Sequence, residues 1–284
     1  MEHLGEIERS RKLVHAQVRF VDVPGGTTAQ AIATLRETDA LCVVIRAFGP
    51  DADPARELET VRQDLILADL AVAESALENA RKRGKGGRTA VPELEPLERA
   101  HGALSEERLL ADAGLSPEDA AHLRGIAPLT LKPWVPVANL EEGAELPAGL
   151  PDETVAVYAS IEAETAGMAE NEARELLVEF GVEEPGLERV IAAGYRALDL
   201  ITFLTTGEDE TRAWEVMRGA TAPEAAGVIH TDLQRGFIRA EVISSDELIE
   251  AGSLTAAKAA GKLRVEGKDY VVQEGDVLNI RFAV

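Results

Sequence analysis

The sequence predicts an α/β protein in which a parallel sheet, interrupted by a helical hairpin, is followed by a smaller α+β domain of ubiquitin-like size. Three observations predict this class. Four short runs rich in Val, Ile and Leu are typical of buried parallel strands. A long stretch between the second and third runs has apolar residues at helical spacing instead. Beyond about residue 200, short strand-like runs alternate with turn sequences and one helix, which is typical of an α+β domain.

Polar or turn residues end each of the four apolar runs. The runs are VRFVDV (18–23), ALCVVIRAF (40–48), WVPVANL (134–140) and TVAVYAS (154–160). Asp22, Asn139 and Ser160 lie at or near three of these ends. Because open α/β sheets bind ligands outside the carboxyl ends of their strands, the sequence predicts a ligand site there.

Two helices with apolar seams separate the second run from the third. The first seam follows a 3-4-3-4 spacing and comprises Leu58, Val61, Leu65, Ala68 and Val72. The second seam follows a 3-4-3 spacing and comprises Leu94, Leu97, His101 and Leu104. A short glycine-containing loop joins the two helices, so we expect an antiparallel hairpin.

The tip of this hairpin concentrates positive charge. Five of the chain's 29 Lys and Arg residues lie there within eight positions, and they are Arg81, Lys82, Arg83, Lys85 and Arg88. Two interpretations stay open. The tip is either a solvated turn whose cations stabilise a helix C-terminus, or a contact point for RNA or another anionic surface.

Shorter elements are predicted beyond the hairpin. Ser116 and Pro117 predict the N-cap and first turn of a short helix, and the region 168–200 predicts two further helices. The strand-like runs of the last part are TFLTT, RAWEVM, GFIRAEVIS, DYVV and VLNIRFAV, with a helix at APEAAGVIH.

Composition limits the cellular setting and the classes of partner. The chain has 284 residues, a net charge of −22 and one cysteine, Cys42, which we expect to be a buried small hydrophobe. A lone cysteine excludes a disulfide framework and predicts a cytoplasmic location. The negative charge disfavours binding to DNA, and any binding to RNA would require a local basic patch. No apolar run approaches the ~18 residues that span a membrane, and the five scattered His residues lack the spacing of a metal site.

Two short motifs and one loop at the strand ends carry nucleotide chemistry. In nucleotide-hydrolysing switch proteins, the Asp of D-x-x-G, here Asp22, reaches Mg²⁺, and the Gly amide, here Gly25, faces the terminal phosphate. In N-x-x-E, an Asn such as Asn139 bonds the purine ring, and a carboxylate such as Glu142 accepts from an amino group. The small-residue loop Ala159–Ser160 closes over the base. Each feature alone is common, but the three in order on consecutive strand ends predict a purine-nucleotide site.

The chain resembles the YchF/Obg-like ATPase family, a branch of the P-loop GTPase superfamily. The segments that carry the resemblance are RAWEVMRGATAPEAAGVIHTDLQRGFIRAEVIS (212–244), AAGKLRVEGKDYVVQEGDVLNIRFAV (259–284), EEPGLERVIAAGYRALDLITF (183–203) and LTLKPWVPVAN (129–139). The resemblance covers nearly the whole chain. It implies an incomplete Ras-like nucleotide domain at 1–50 and 125–200, a coiled-coil insertion at 51–124 and a TGS domain of β-grasp type at 201–284.

The resemblance also implies a ligand and partners. It implies that ATP is preferred over GTP, that Mg²⁺ accompanies the nucleotide, and that the protein associates with the ribosome or ribosomal RNA. The base-contacting pattern of the family falls on Asn139 and Glu142, and its D-x-x-G falls on Asp22 and Gly25.

The sequence departs from the family pattern in its phosphate-binding parts. It contains no G-x-x-x-x-G-K-[ST], and only GTTAQAIATL separates Gly25 from Arg36. A phosphate loop supplies several amide hydrogen bonds, a lysine and a magnesium ligand. Losing four hydrogen bonds to charged groups removes at least about 6 kcal/mol, or roughly four orders of magnitude in affinity. We therefore expect weak ATP or GTP binding and no hydrolysis, and we assign no catalytic residue.

The departure also affects the expected sheet. In a Ras-like sheet the first strand lies between the runs 18–23 and 40–48, and its absence leaves two strand edges without partners. Either these two runs pair directly, or another segment fills the gap, or the natural chain begins upstream of Met1.

Two functions stay open at this point. The first is a nucleotide-binding member of the ATPase family. The second is a non-enzymatic scaffold that binds ribosomes or RNA through the hairpin and the TGS domain. A basic face of that domain would use Arg212, Arg218, Arg235, Arg239, Lys262 and Arg264. The alternative for these six cations is that they are scattered among acidic neighbours.

Overall fold

The computed structural model describes residues 1–23, 28–85 and 91–283. These residues form two compact units, Met1–Phe20 with Leu198–Val284, and Val21–Ala197. The strands are β1 (Leu13–Val14), β2 (Leu41–Ala47), β3 (Trp134–Leu140), β4 (Val155–Val157), β5 (Leu200–Thr205), β6 (Thr211–Met217), β7 (Phe237–Ser244), β8 (Arg264–Glu266) and β9 (Asp276–Phe282). The α-helices are α1 (Glu2–Glu8), α2 (Ala29–Arg36), α3 (Pro54–Lys85), α4 (Leu94–Ser105), α5 (Pro117–Leu123), α6 (Ala159–Glu164), α7 (Glu170–Glu179), α8 (Gly186–Ala197), α9 (Ala222–Ile229), α10 (Thr231–Arg235), α11 (Ser245–Ala251) and α12 (Leu254–Ala259).

The unit of residues 21–197 is built on a parallel sheet of three strands in the order β2-β3-β4. One face of β2 packs against α3, where Ile45 and Leu65 share a buried cluster. The opposite face of β3 and β4 packs against α8, where Val137 and Val155 meet Ala193. The predicted strands at 40–48, 134–140 and 154–160 are confirmed, although β4 ends at Val157 because a helix begins at Ala159. All three strands point their carboxyl ends to the same edge of the sheet.

The prediction of a strand over 18–23 is wrong. These residues belong to no strand, and Phe20 is 49% exposed. An extended segment becomes a strand only where a neighbour accepts its backbone hydrogen bonds. Among the described residues, β2 pairs with β3 alone, so neither 18–23 nor any other segment occupies its second edge. On that edge the Arg46 amide donates to the Glu57 carboxylate of α3 at 3.1 Å, which satisfies one of the unpaired groups.

The predicted helical hairpin is confirmed as the antiparallel pair α3 and α4. Its buried seam differs in part from the expected one. Leu65 lies in the cluster against the sheet, together with partly buried Leu58. The contact with α4 uses a different face of α3 and begins at Ile66. The buried residues of this contact are Ile66, Ala73, Leu77 and Ala80 of α3 with Leu97, Ala100, Ala103 and Leu104 of α4. The first three turns of α3, up to Leu65, therefore pack against the sheet, and the later turns pack against α4.

The other unit is a mixed six-stranded sheet in the order β1-β6-β5-β9-β7-β8. One face buries α9 through a cluster that includes Phe203, Val242 and Ala225. The other face carries Leu4 of α1 and Leu248 of α11. The predicted strand at DYVV is wrong: Val271 makes only an isolated bridge to Thr221, and the pairing segment is β8.

Residues 1–20 belong to this second unit. Leu13 of β1 lies in parallel register with Thr211 of β6, and Leu4 is buried beside Ile243. The compact units thus group 1–20 with 198–284, whereas the sequence-based boundary placed 1–50 with the three-stranded sheet. The finer division into three domains stays a prediction. Across the described part of the chain, none of the helices combines the length and the apolar character needed to cross a bilayer.

Candidate functional site

The loops after β3 and β4 meet at the carboxyl edge of the three-stranded sheet. Asn139 lies one residue before the end of β3 and opposite Val157, the last residue of β4. The Asn139 side-chain oxygen Oδ1 accepts a hydrogen bond from the Ala159 amide at 3.1 Å. Ser160 follows in the first turn of α6 and is exposed. The structure therefore brings together three of the residues predicted for the base site.

Glu142 lies in the turn that follows β3, and its side chain is exposed. Because Oδ1 of Asn139 is occupied by Ala159, the Nδ2 group of Asn139 remains as the donor toward a ligand. An amide donor and a carboxylate acceptor match a purine ring nitrogen and an exocyclic amino group. One donor and one acceptor at this edge therefore fit a purine base.

Two residues that sequence reasoning missed connect these loops. Tyr158 donates from its hydroxyl to the carbonyl of Ala144, in the turn that carries Glu142, at 3.0 Å. Glu162 accepts from the Tyr158 amide at 3.0 Å and from the Gly186 amide at 2.7 Å. The position of Glu162 in the first turns of α6 is a signal for a carboxylate that caps backbone amides, but its second partner lies 24 positions away.

The residues predicted for the phosphate and magnesium loop are less defined. Asp22 is exposed and lies outside the strands. Gly25 lies outside the described residues. In the ranges 1–23, 28–85 and 91–283, no group of three or more His, Cys, Asp or Glu side chains is arranged to hold a metal ion. The described residues thus assemble the base half of the predicted site and do not assemble its phosphate half.

The positive charges at the hairpin tip are paired with carboxylates. Arg81 lies 2.9 Å from Glu98, Lys82 lies 2.7 Å from Glu78, and Arg83 lies 2.7 Å from Glu93. The side chain of Lys85 and all of Arg88 lie outside the described residues. A hydrogen bond to its own backbone lowers the pKa of Glu93, and the nearby Arg83 guanidinium lowers it further. Much of the tip charge is therefore compensated locally.

Five of the six cations proposed for a basic face of the C-terminal unit also have acidic neighbours. The pairs are Arg212 with Glu210, Arg218 with Asp199, Arg235 with Asp232, Lys262 with Glu250, and Arg264 with Asp276. Arg239 is exposed on β7. This arrangement favours the alternative in which the cations are scattered among acidic residues.

Cys42 is exposed on the uncovered face of β2, so the expectation of a buried position is wrong. The physical reason is that α8 covers β3 and β4 but leaves this face of β2 open, where Val44 is 62% exposed. Partial burial of the thiol nevertheless raises the pKa of Cys42, which disfavours a reactive thiolate.

Comparison with known proteins gives a consistent set of relatives. A family model, YchF-GTPase_C, described as a protein of unknown function (DUF933), matches residues 200–283. The "Ribosome-binding ATPase YchF" of Haemophilus influenzae is 39% identical over 313 residues, which cover 100% of this chain and 86% of the relative. The protein of the same name from Bacillus subtilis is 35% identical over 316 residues, with the same coverage. The structure of the Schizosaccharomyces pombe YchF GTPase is similar with a TM-score of 0.83 and 26% identity, over 99% of this chain and 84% of that one.

The lengths of these alignments show that this chain is shorter than its relatives within the aligned region. The alignment with the Haemophilus relative spans 313 positions, 29 more than the 284 residues of this chain, so internal gaps in this chain total at least 29 positions. Similarity nevertheless extends from one end of the chain to the other and includes both the strand-end motifs and the C-terminal unit. On this evidence the chain belongs to the YchF family.

Proposed function

We propose that this chain binds a purine nucleotide, with ATP preferred over GTP, and associates with ribosomes. The observation that carries the proposal is the hydrogen bond from the Ala159 amide to Asn139 Oδ1, which holds the two base-contacting loops side by side. The names of the relatives from Haemophilus influenzae and Bacillus subtilis support the ATP and ribosome parts. The ribosome partner is consistent with a cytoplasmic location and with no DNA or membrane partner.

Each base-site residue has a defined role in this proposal. Asn139 donates from Nδ2 to the purine ring, and Glu142 accepts from the exocyclic amino group of adenine. Guanine presents a carbonyl oxygen at that place, which repels a carboxylate, so Glu142 favours ATP. Ala159 and Ser160 cover the base with small side chains.

We propose that the phosphate half of the site contributes little to nucleotide affinity. Asp22 is the residue that would hold Mg²⁺, which would offset phosphate charge there, and the Gly25 amide would face the terminal phosphate. Because the 284 residues contain no G-x-x-x-x-G-K-[ST], we propose that they bind ATP in the ~10 mM range and do not hydrolyse it. The hairpin tip, with Arg81, Lys82 and Arg83 as its described cations, is the proposed contact with the ribosome.

An NMR titration of the full chain with ATP and with GTP, in the presence and absence of Mg²⁺, tests this proposal. We expect saturable shifts of the Asn139 and Ala159 amides, larger for ATP than for GTP at equal concentration. Glu142→Ala should reduce the ATP preference, because it removes the acceptor for the amino group. Glu145→Ala, which removes an exposed carboxylate just after the same turn, is the matched control and should bind as the parent chain does.

The contrary outcome has a clear meaning. Absence of any saturable shift at these amides, together with retained co-sedimentation with ribosomes, would contradict nucleotide binding and leave the scaffold function as the correct one. If the chain binds ATP but does not co-sediment with ribosomes, only the proposed ribosome association is contradicted.

A further inference from the structure

We propose that Glu162 is a positioning residue of the base site, and that it controls the preference for ATP by fixing the loop of Tyr158 and, through Tyr158, the turn that carries Glu142. This inference rests on the purine-binding function proposed above. It adds two residues, Glu162 and Tyr158, that do not contact the base in that proposal.

The first step is the bidentate use of the Glu162 carboxylate. Its Oε1 accepts from the Tyr158 amide at 3.0 Å, and its Oε2 accepts from the Gly186 amide at 2.7 Å. Both donors are backbone groups, one at Tyr158 between β4 and α6 and the other at the first residue of α8. The carboxylate therefore fastens the base-contacting loop to α8, which packs on β3 and β4 in the core of the unit.

The second step is that the Glu162 carboxylate packs closely against Gly186. A Cβ atom added at Gly186 would lie 2.5 Å from Oε1 of Glu162 and 2.8 Å from Cγ1 of Val157. Glycine at 186 is thus what allows the carboxylate to reach both amides. Gly186→Ala would displace the carboxylate and would also crowd Val157, the last residue of β4.

The third step links the two loops. The Tyr158 hydroxyl donates to the Ala144 carbonyl at 3.0 Å, two residues after Glu142. Gly143 between them has a φ of +76°, a left-handed conformation that defines the turn. A change in the position of Tyr158 therefore moves the turn, and with it the carboxylate that distinguishes adenine from guanine.

Glu162→Gln is the informative substitution. Glutamine keeps the size of the side chain but offers one oxygen, and its NH₂ group would oppose the N–H of Tyr158 or of Gly186. We expect ATP affinity to fall about threefold, at the low end of the effect of one hydrogen bond, because the lost bond orders the loop and does not contact the base. GTP affinity should change less, so the ATP-to-GTP affinity ratio falls as well. Gly186→Ala and Tyr158→Phe should also reduce the ATP-to-GTP affinity ratio.

The experiment uses the full chain and two readouts. The first is amide hydrogen exchange at Tyr158, Ala159 and Ala144 without nucleotide, which we expect to become faster in Glu162→Gln. The second is the ATP-to-GTP affinity ratio from the NMR titration. Glu164→Gln, an exposed residue of the same helix with the same change of charge, is the control and should leave both readouts unchanged. Thermal unfolding of each variant verifies that it is folded.

The outcomes separate this inference from the function on which it rests. A folded Glu162→Gln variant with the parent ATP-to-GTP ratio overturns the positioning role and leaves nucleotide binding intact. A parent chain that binds neither nucleotide overturns both. If Glu162→Gln fails to fold, Tyr158→Phe decides the question, because it removes one hydroxyl and keeps the ring, and an unchanged ratio in that variant overturns the link between the two loops.

Discussion

Asp69 of α3 is the most deeply buried carboxylate that the structure describes, with 1% of its surface exposed. Its Oδ2 accepts from the Thr130 amide at 2.7 Å and from the Thr130 hydroxyl at 2.8 Å. Its Oδ1 lies 2.8 Å from Nη1 of Arg36, the last residue of α2. The hydrogens of that Nη1 are directed to the carbonyls of Ile126 and Ala127, so the contact with Oδ1 is electrostatic and Oδ1 has no hydrogen-bond donor among the described residues.

Asp69→Ala should therefore be strongly destabilising. The substitution leaves the Arg36 guanidinium without a counter-charge and the two Thr130 donors without an acceptor. Removing one partner of a buried ion pair costs about 3–5 kcal/mol of unfolding free energy. Urea unfolding measures the loss, with Glu74→Ala on the exposed face of the same helix as the control, expected within about 0.5 kcal/mol of the parent. A loss below about 1 kcal/mol for Asp69→Ala would show that the pair contributes little net stability.

Local contacts at the residue scale were predictable, and distant ones were not. Ser116 and Pro117 predicted a helix start, and the structure has a full capping box in which Ser116 and Asp119 bond each other. The hydrogen bond from Ser116 is the main reason that the pKa of Asp119 is lowered. By contrast, the partner of Asp69 at Thr130 lies 61 positions away, and no local pattern indicates it.

At the scale of elements, the same dependence on distant partners explains why the strand predicted over 40–48 is correct and the strand predicted over 18–23 is wrong. The apolar runs at 40–48 and 18–23 have similar composition, but only the first finds a neighbouring strand, β3. Strand formation depends on that neighbour, and composition does not reveal it. The same holds for the residues of the site. The N-x-x-E motif predicted Asn139, whereas the roles of Tyr158 and Glu162 depend on contacts between the loops after β3 and β4 that the sequence does not reveal.

The hairpin tip gives a testable prediction for an element. Arg81, Lys82 and Arg83 form ion pairs that are largely solvent-exposed, and such pairs contribute little stability. Ribosomal phosphates can therefore compete with these carboxylates at low cost. Changing all three cations to Glu should leave the hairpin folded and markedly weaken co-sedimentation with ribosomes.

A matched control separates tip charge from total charge. Arg56→Glu, Arg196→Glu and Lys258→Glu combined change the net charge by the same amount at exposed positions away from the tip. This control should sediment with ribosomes as the parent chain does. Equal weakening in both triple variants would mean that overall charge, rather than the tip, governs the association.

For the whole molecule, the net charge of −22 opposes association with a polyanion. Any ribosome contact through RNA must therefore be confined to a small cationic region. In the described parts of the hairpin and the C-terminal unit, most of the candidate cations are paired with carboxylates. A contact confined to the hairpin tip, which has five cations, can therefore neutralise at most about five phosphates at one time.

The salt dependence of ribosome binding measures that number. Each neutralised phosphate contributes about −0.7 to −0.9 to the slope of log K against log salt concentration, so a contact through the five tip cations should give a slope no steeper than about −4.5. Changing Arg81, Lys82 and Arg83 to Glu should remove at least about two units of that slope. A parent slope near −10 would require a cationic surface far larger than the tip, and a slope near zero would mean that the protein binds ribosomal protein rather than RNA. An intermediate slope that the triple variant removes would assign the contact to the hairpin tip.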